Sequence, residues 1–261
     1  MKVTLITGAS SGIGEGFARR LAAEGHDLVL TARSEKALHE LCDELMLQHK
    51  IMAHYVIADL TERDADEYIF GETEKHKFEV DWLINNAGFG AYGDFANVDL
   101  DKQTGMVDVN IRSLVGLTHR YLPGMRERRR GTIINVSSAA GFQPLPYMAV
   151  YAATKSFVTS FSEAIAEENR EYGIQIMALC PGSTKTNFFK AASMDNPIHA
   201  KGQQTVDEVV DTALRGVRQG RTRIISGLTN YITATAVNVI PNKLITRMMG
   251  RALGPRYRNN K

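Results

Sequence analysis

Short runs of consecutive apolar residues recur along the chain, separated by longer stretches in which apolar residues return every three or four positions. The first pattern indicates strands covered on both faces, and the second indicates amphipathic helices. The predicted strands are Val3–Thr7, Leu28–Thr31, Met52–Ala58, Trp82–Asn85, Thr132–Ser137, Ile174–Cys180 and Arg223–Ser226. The predicted helices include Ile13–Glu24, Glu35–His49, Lys102–Arg129, Tyr151–Tyr172 and Val206–Gln219.

Strands and helices alternate, as they do in right-handed βαβ units. We therefore expect an α/β fold with one doubly wound parallel sheet of about seven strands and helices on both faces. Two segments depart from the alternation. A loop is predicted near residues 185–204, where Phe188–Lys201 lacks periodicity, and a short mobile helix pair before the last strand is the alternative. A helical tail is predicted over 228–261, with short helices at Tyr231–Ile240 and Lys243–Leu253 and a frayed basic end at Arg256–Arg258.

Composition and charge exclude several classes of protein. With 44% hydrophobic and 23% charged residues the chain can build a sizeable core, and a net charge of +2 gives no reason to expect a nucleic-acid partner. Cys42 and Cys180 are the two cysteines, which fits a reducing compartment. No apolar stretch reaches the length of about 20 residues that a membrane span needs, and the histidines lack metal-ligand spacing. We expect a cytoplasmic protein without a protein-bound metal.

A glycine-rich turn follows the first predicted strand and opens the first helix. Glycines at Gly8, Gly12 and Gly14 would let the backbone approach a pyrophosphate at the positive helix N-terminus. The spacing is G-x-x-x-G-x-G and not G-x-G-x-x-G, so a tight turn without a ligand is an alternative. After the second strand, Arg33 occupies the region where an acidic residue would select NAD, and its cation suits a 2′-phosphate. A solvated loop arginine is the alternative for this position.

Tyr151 and Lys155 are four residues apart on one predicted helix, so both side chains lie on one face. A free tyrosine has a pKa near 10, and a nearby lysine cation would stabilise the phenolate and lower that pKa. The protonated phenol could serve as a general acid toward a developing alkoxide, and the phenolate as a base in the reverse direction. This pair indicates proton transfer at an oxygen atom.

Together these motifs resemble the short-chain dehydrogenase/reductase family, of the single-domain type of roughly 250 residues. The matching elements run in the family's order over residues 1 to about 190: T-G-A-S-S-G-I-G at Thr7–Gly14, N-N-A-G at Asn85–Gly88, Asn110, Ser138, Y-A-A-T-K at Tyr151–Lys155 and P-G-S-T-K-T at Pro181–Thr186. The resemblance implies one NAD(P)-binding Rossmann-type domain over residues 1–261. It also implies that the loop near 185–204 covers substrate, and that the chain forms a homodimer or homotetramer.

The resemblance assigns roles to four catalytic residues. Ser138 would bond the substrate oxygen and Tyr151 would transfer the proton. Lys155 would hold the nicotinamide ribose, and Asn110 would position a water that relays protons through Lys155. The cofactor-binding residues expected from the turn, from Arg33 and from the resemblance are Gly8, Ser10, Ser11, Gly12, Ile13, Gly14, Arg33, Asp59, Leu60, Asn86, Ala87, Gly88, Asn110, Tyr151, Lys155, Pro181, Gly182, Thr184 and Thr186.

We therefore expect an NADP(H)-dependent oxidoreductase that interconverts a carbonyl and the corresponding alcohol. Apolar and aromatic residues flank the expected cleft, which favours a lipophilic and uncharged substrate: Phe89, Tyr92, Phe142, Pro144, Tyr147, Met148, Phe188 and Phe189. One alternative is a catalytically weak NADP(H)-binding regulatory protein, and another is a sugar-nucleotide epimerase or dehydratase. A third is a membrane-surface role for the basic, partly apolar tail, although we expect no membrane contact there.

Overall fold

Seven parallel strands form a single sheet in the computed structural model, which describes residues 1–186, 188, 203–237 and 239–258. In chain order the strands are β1 (Lys2–Thr7), β2 (Leu28–Ala32), β3 (Ala53–Ile57), β4 (Glu79–Asn85), β5 (Gly131–Val136), β6 (Ile174–Cys180) and β7 (Arg223–Ile225). Their order across the sheet is β3-β2-β1-β4-β5-β6-β7. The strand order therefore reverses between β1 and β4, and parallel sheets bind ligands in the crevice outside such a switch point.

Helices lie on both sides of this sheet. They are α1 (Gly12–Ala23), α2 (Glu35–His49), α3 (Ala65–Lys75), α4 (Leu100–Val107), α5 (Ser113–Arg128), α6 (Ala149–Glu168), α7 (Val206–Arg218), α8 (Leu228–Val237) and α9 (Asn242–Arg258). A π-helical turn, Asp108–Arg112, joins α4 to α5. None of the helices in the described ranges combines the length and the apolar character that crossing a membrane requires.

Two apolar cores form, one on each face of the sheet, because the central strands are buried on both sides. One core joins the strands to α1, α2 and α7, with Phe17, Leu45 and Val209 completely buried. The other joins them to α3, α5 and α6, with Ile69 and Met125 completely buried. These two layers hold the carboxyl ends of the strands in fixed positions, which is where a site would form.

The predicted α/β fold is confirmed, and each predicted strand lies within a few residues of an observed one. The helix Ala65–Lys75 was not among the predicted helices, because glutamates and Gly71 obscure its apolar period. The helix predicted over Lys102–Arg129 starts at Leu100 and contains the π-helical turn. The expected fraying at the basic end is wrong, because α9 continues to Arg258. Except for Phe188, the segment Phe188–Lys201 lies outside the described residues.

Candidate active site

A cavity of about 850 Å³ opens at the carboxyl ends of the strands, beside the β1–β4 switch point. Arg33 and Asp59, which follow β2 and β3, line one side. Ser138, which follows β5, lines the other side together with Tyr151 and Lys155 of α6. All the predicted catalytic and cofactor-binding residues line this cavity except Gly14 and Asn110, which pack against the backbone that forms its wall. Of the described apolar residues expected to flank the cleft, Phe142, Pro144 and Tyr147 do not line it.

The glycine turn is held from two sides. Gly8 and Gly12 have φ of +64° and +61°, a region that side-chain-bearing residues rarely adopt. A Cβ atom at Gly14 would lie 2.4 Å from the Gly8 carbonyl oxygen, so the first turn of α1 packs directly on the loop. Asn86 Nδ2 donates to the carbonyl oxygens of Thr7 at 2.9 Å and Gly8 at 3.2 Å.

The N-terminus of α1 faces this cavity through Ser11, Gly12 and Ile13. The Ser11 side chain makes no capping hydrogen bond, so it leaves the first backbone N–H groups of α1 to other acceptors. A helix N-terminus with open N–H groups beside glycines fits a pyrophosphate. The turn therefore fits the phosphate portion of a dinucleotide.

Arg33 extends into solvent at the β2–β3 side, with its side chain 77% exposed. Its Nη1 lies 3.8 Å from Oδ2 of Asp59. Burial acts to raise the pKa of Asp59, but hydrogen bonds from the backbone and hydroxyl of Thr61, aided by Arg33, outweigh it and hold that pKa below its usual value. The two side chains are therefore an ion pair at the rim, with the guanidinium accessible to an anionic group.

Tyr151 and Lys155 lie side by side on α6, as predicted, with Lys155 Nζ 5.8 Å from the centre of the Tyr151 ring. The ammonium donates to the carbonyl oxygen of Val136 at 2.8 Å. Burial lowers the pKa of Lys155 to about 8. Both side chains are buried beside the end of β5, so each loses the solvation that its charged form needs.

The expected lowering of the tyrosine pKa is not what the structure gives. Burial raises the pKa of Tyr151 to about 12, and a side-chain hydrogen bond with Ser138 opposes part of that rise. Ser138 also accepts a hydrogen bond from the Ala140 N–H at 3.1 Å, which fixes its side chain at the start of a short 3₁₀ helix. The phenol is therefore protonated near pH 7 and points at a fixed hydroxyl.

Asn110 sits in the π-helical turn and is almost completely buried. Its Nδ2 donates to the Phe89 carbonyl at 3.1 Å and to Thr154 Oγ1 at 3.0 Å, and its Oδ1 accepts from the Phe89 N–H at 3.2 Å. Because Thr154 lies between Tyr151 and Lys155 on α6, these bonds connect the segment after β4 to the helix that carries both residues. A π-helical turn inside a helix often marks a functional site.

The C-terminal helices supply one wall of the cavity, which the sequence does not predict. Asn230, Thr233, Ala234 and Val237 of α8 line the cavity, and so does Met249 of α9. Asn230 Nδ2 donates to the Ser226 carbonyl at 2.7 Å, and the Asn230 side chain covers Gly182 so closely that a Cβ there would clash. No local pattern in the tail signals this contact, since it depends on how α8 packs across the carboxyl end of β6.

The C-terminal end of α9 also packs beside the cavity. The ring of Tyr257 in α9 stacks on Tyr147 at 5.4 Å and on Tyr92 at 6.4 Å between centroids. Tyr147 has φ of +66°, which is uncommon for an aromatic residue. Its carbonyl accepts a hydrogen bond from Gly93 at 3.0 Å. The aromatic stack holds α9 against the loops that flank the cavity.

Comparisons with known proteins agree with this geometry. The profile of the family described as short chain dehydrogenase matches residues 2–197. The very-long-chain 3-oxoacyl-CoA reductase of Anas platyrhynchos is 36% identical over 199 residues, which cover 74% of this chain and 64% of that protein, so the chain spans less than two thirds of its length. The 17-beta-hydroxysteroid dehydrogenase type 3 of Rattus norvegicus is 32% identical over 243 residues, covering 92% of this chain and 76% of that protein.

A solved structure supports the same assignment. The short-chain dehydrogenase from Sphingobium yanoikuyae, in complex with NADPH, superposes with a TM-score of 0.82 at 30% identity, covering 92% of this chain and 96% of that chain. The profile match, the strand order and the Tyr151–Lys155 helix all lead to one assignment: this chain belongs to the short-chain dehydrogenase/reductase family.

Proposed function

We propose that this protein is an NADP(H)-dependent oxidoreductase that interconverts a lipophilic, uncharged ketone or aldehyde and its alcohol. The observation that carries the proposal is the buried Tyr151 phenol, which is hydrogen-bonded to half-buried Ser138 and lies next to buried Lys155, at the apolar end of the cavity. Apolar side chains pack in one cluster with Tyr151, among them Phe89, Tyr92, Leu145, Met148 and Phe188. Val237 and Met249 line the same cavity.

The chain's own groups would hold the cofactor. The pyrophosphate would lie against the Gly8–Gly14 turn and the open N-terminus of α1, as the left-handed glycines and the uncapped N–H groups allow. Arg33 would pair with a 2′-phosphate, and this is the basis for proposing NADP(H) over NAD(H). The NADPH complex of the Sphingobium yanoikuyae relative supports the same preference.

A bound nicotinamide supplies or accepts the hydride. The protein's part is then to hold the carbonyl oxygen and to move one proton. Because its pKa lies at about 12, the Tyr151 phenol retains its proton near pH 7 and can donate it to the oxygen as negative charge develops there. Ser138 donates a second hydrogen bond to the same oxygen and so fixes its position.

Lys155 contributes electrostatically. Its ammonium, close to the Tyr151 ring, favours the phenolate that remains after proton transfer. A pKa of about 8 leaves most Lys155 side chains charged at pH 7 but close to losing the charge. We therefore expect Lys155 to stabilise the deprotonated tyrosine in the reaction, although burial dominates the pKa of Tyr151 in the resting site.

Charge distribution supports an uncharged substrate. Among the described residues that line the cavity, the charged ones are Arg33, Asp59 and Lys155, and the first two pair at the adenosine end. A carboxylate or phosphate on the substrate would find no spare cation near Tyr151 within that set, and a buried unpaired ion is heavily penalised. An apolar body gains about 25 cal/mol for each Å² of apolar surface that it buries.

A homologous series of methyl ketones tests the proposal, with NADPH consumption as the measurement. The value of kcat/KM should rise with apolar chain length until the pocket is full, and carboxylated analogues should react at least about tenfold more slowly. Tyr151→Phe should lower kcat at least about a hundredfold with nearly unchanged NADPH affinity, which is typical for loss of a general acid.

Tyr121→Phe is the matched control. Tyr121 is also buried, but its hydroxyl bonds Thr73 Oγ1 at 2.9 Å, away from the cavity, so its removal should leave kcat unchanged. Preferred turnover of carboxylated or phosphorylated carbonyls would contradict the substrate class. An active Tyr151→Phe variant would contradict the proton donor, and a protein that binds NADPH but reduces no carbonyl would favour the regulatory alternative.

A further inference from the structure

The two C-terminal helices present two different faces. On the inner face Ala234 and Ile245 are buried, and Val237 and Met249 line the cavity. On the outer face large apolar side chains are exposed to solvent. Seven of the 17 exposed large apolar residues in the described part of the chain fall between positions 228 and 248, although this segment is a small share of it. Single exposed apolar residues are normal on a protein surface, but a concentration of them marks an interaction site.

The same segment has an unbalanced charge. Residues 228–261 contain six of the chain's 31 Lys and Arg residues and none of its 29 Asp and Glu residues. Residues 1–227 contain 25 basic and 29 acidic residues, so the tail carries more than the whole net positive charge. On α9, Lys243, Arg247 and Arg251 follow each other at four-residue intervals and lie on one face of the helix.

Apolar side chains run beside this basic row. Leu244 is 52% exposed and Met248 61% exposed, each one position after a cation of the row. On α8, Leu228 and Ile232 are likewise exposed. We define the outer tail face by Leu228, Tyr231, Ile232, Leu244 and Met248 together with Lys243, Arg247 and Arg251. Exposed apolar residues beside Lys and Arg on a helix too short to span a bilayer are typical of helices that lie in the lipid interface.

We propose that the outer tail face binds the surface of an anionic lipid bilayer. Its apolar side chains would enter the acyl boundary while Lys243, Arg247 and Arg251 contact anionic head groups. A second copy of this chain is a poorer occupant. A two-fold contact places the same patch on both partners, so the same three cations would meet across it with no acidic residue in the tail to pair with them.

The position of the cavity gives this binding a consequence. Because α8 and α9 line the cavity with their inner face, binding through the outer tail face would place one wall of the cavity beside the bilayer. A lipophilic ketone dissolved in the membrane would then have a short path to Tyr151. This consequence rests on the proposed function, whereas the lipid binding itself does not.

Co-sedimentation with lipid vesicles tests the binding directly. The protein should sediment with phosphatidylcholine vesicles that contain one third phosphatidylglycerol, far less with phosphatidylcholine alone, and less with the anionic vesicles at high salt. Replacing the three cations together (Lys243→Gln, Arg247→Gln, Arg251→Gln) should weaken binding to anionic vesicles about a hundredfold, since each cation near such a surface contributes about fivefold. A double variant, Leu244→Ser with Met248→Ser, should weaken binding at least about tenfold.

The matched control places the same kinds of change on α2. Lys36 and Leu47 are 85% and 84% exposed, so Lys36→Gln with Leu47→Ser should sediment like the parent protein. None of the altered side chains lines the cavity, so turnover of a short water-soluble ketone should be unchanged in every variant and reports correct folding. That turnover measurement also separates a failure of lipid binding from a failure of the proposed function.

Three outcomes would overturn the proposal. The first is equal binding, or no binding, to neutral and anionic vesicles. The second is a control variant that loses as much binding as the tail variants. The third is that the parent binds no vesicles and that a tail variant has the mass of a monomer in analytical ultracentrifugation where the parent has the mass of a dimer. The outer tail face would then bind a second copy of the chain.

Discussion

Replacing Lys155 with methionine should make the protein more stable while removing its activity. Lys155 is 4% exposed, and burial lowers its pKa from 10.5 to about 8. This lowering of the pKa corresponds to a cost of about 3 kcal/mol for keeping the side chain charged at neutral pH. Methionine has a similar length and no charge, so it can occupy the same space.

The lost hydrogen bond offsets part of this gain. Lys155 Nζ donates to the Val136 carbonyl oxygen at 2.8 Å, and such a bond contributes about 1 kcal/mol. The net gain for Lys155→Met at pH 7 is therefore about 2 kcal/mol. In a protein of this size that corresponds to a rise in Tm of roughly 4–8 °C.

The stability gained by Lys155→Met should be larger at low pH than at high pH. Between pH 8 and 10.5 the unfolded chain binds a proton at Lys155 that the folded protein has released, so the parent's free energy of unfolding rises with pH through this window. The stability that the folded protein gains from an uncharged Lys155 is fully present above pH 10.5. It is lost as the pH falls to about 8. The variant lacks this dependence, so its advantage is largest below pH 8 and disappears near 10.5.

Urea unfolding followed by Trp82 fluorescence at about pH 7 and pH 10 measures the effect. Lys36→Met is the control, because Lys36 is 85% exposed and its replacement should change neither curve by more than about 0.5 kcal/mol. The reasoning is refuted if Lys155→Met is less stable than the parent at pH 7, or if its advantage does not shrink at the higher pH. Lys155→Met should have lost turnover at both pH values.

Two further predictions concern the cofactor and the proton. Arg33→Asp should reduce or invert a preference for NADPH over NADH of at least about tenfold, because it replaces the accessible guanidinium with a second acid beside Asp59. Calorimetric titration with both cofactors measures this, and equal affinities in the parent would contradict it. Because burial raises the pKa of Tyr151 to about 12, carbonyl reduction should show no loss due to Tyr151 between about pH 6 and 9, and alcohol oxidation should rise with pH. Deprotonation of Tyr151 can be followed by tyrosinate absorbance. If the rate of carbonyl reduction falls near pH 7 in parallel with this deprotonation, the raised pKa of Tyr151 is contradicted.

The sheet and the glycine turn were predictable because their signals are local. Apolar runs such as Ile174–Cys180 read as buried strands whatever surrounds them, and the left-handed glycines follow from their place between β1 and α1. The four-residue spacing likewise places Tyr151 beside Lys155. Each inference uses residues that are close in sequence, so tertiary packing could not overturn it.

Properties that depend on distant residues could not be predicted in the same way. The spacing gives the proximity of Lys155 to Tyr151, but the tyrosine pKa depends on desolvation by α6, the Ser138 loop and their neighbours, and it moves in the opposite direction. Asn230 and Met249 line the cavity because α8 and α9 cross it, and nothing in the tail sequence specifies that crossing. Burial and the packing of the tail both require the folded chain.

The segment that follows β4 holds the glycine turn and the Tyr151 helix at a fixed separation. At its start, Asn86 holds the glycine turn through the carbonyl oxygens of Thr7 and Gly8. At its end, Phe89 is bonded in both directions to Asn110, which also holds Thr154 on the helix of Tyr151. Four consecutive residues thus connect the glycine turn to the helix of Tyr151 through side-chain amides with defined geometry. Since misplacement of reacting groups by about 1 Å can cost a hundredfold in rate, we infer that Asn110 acts here by positioning Tyr151.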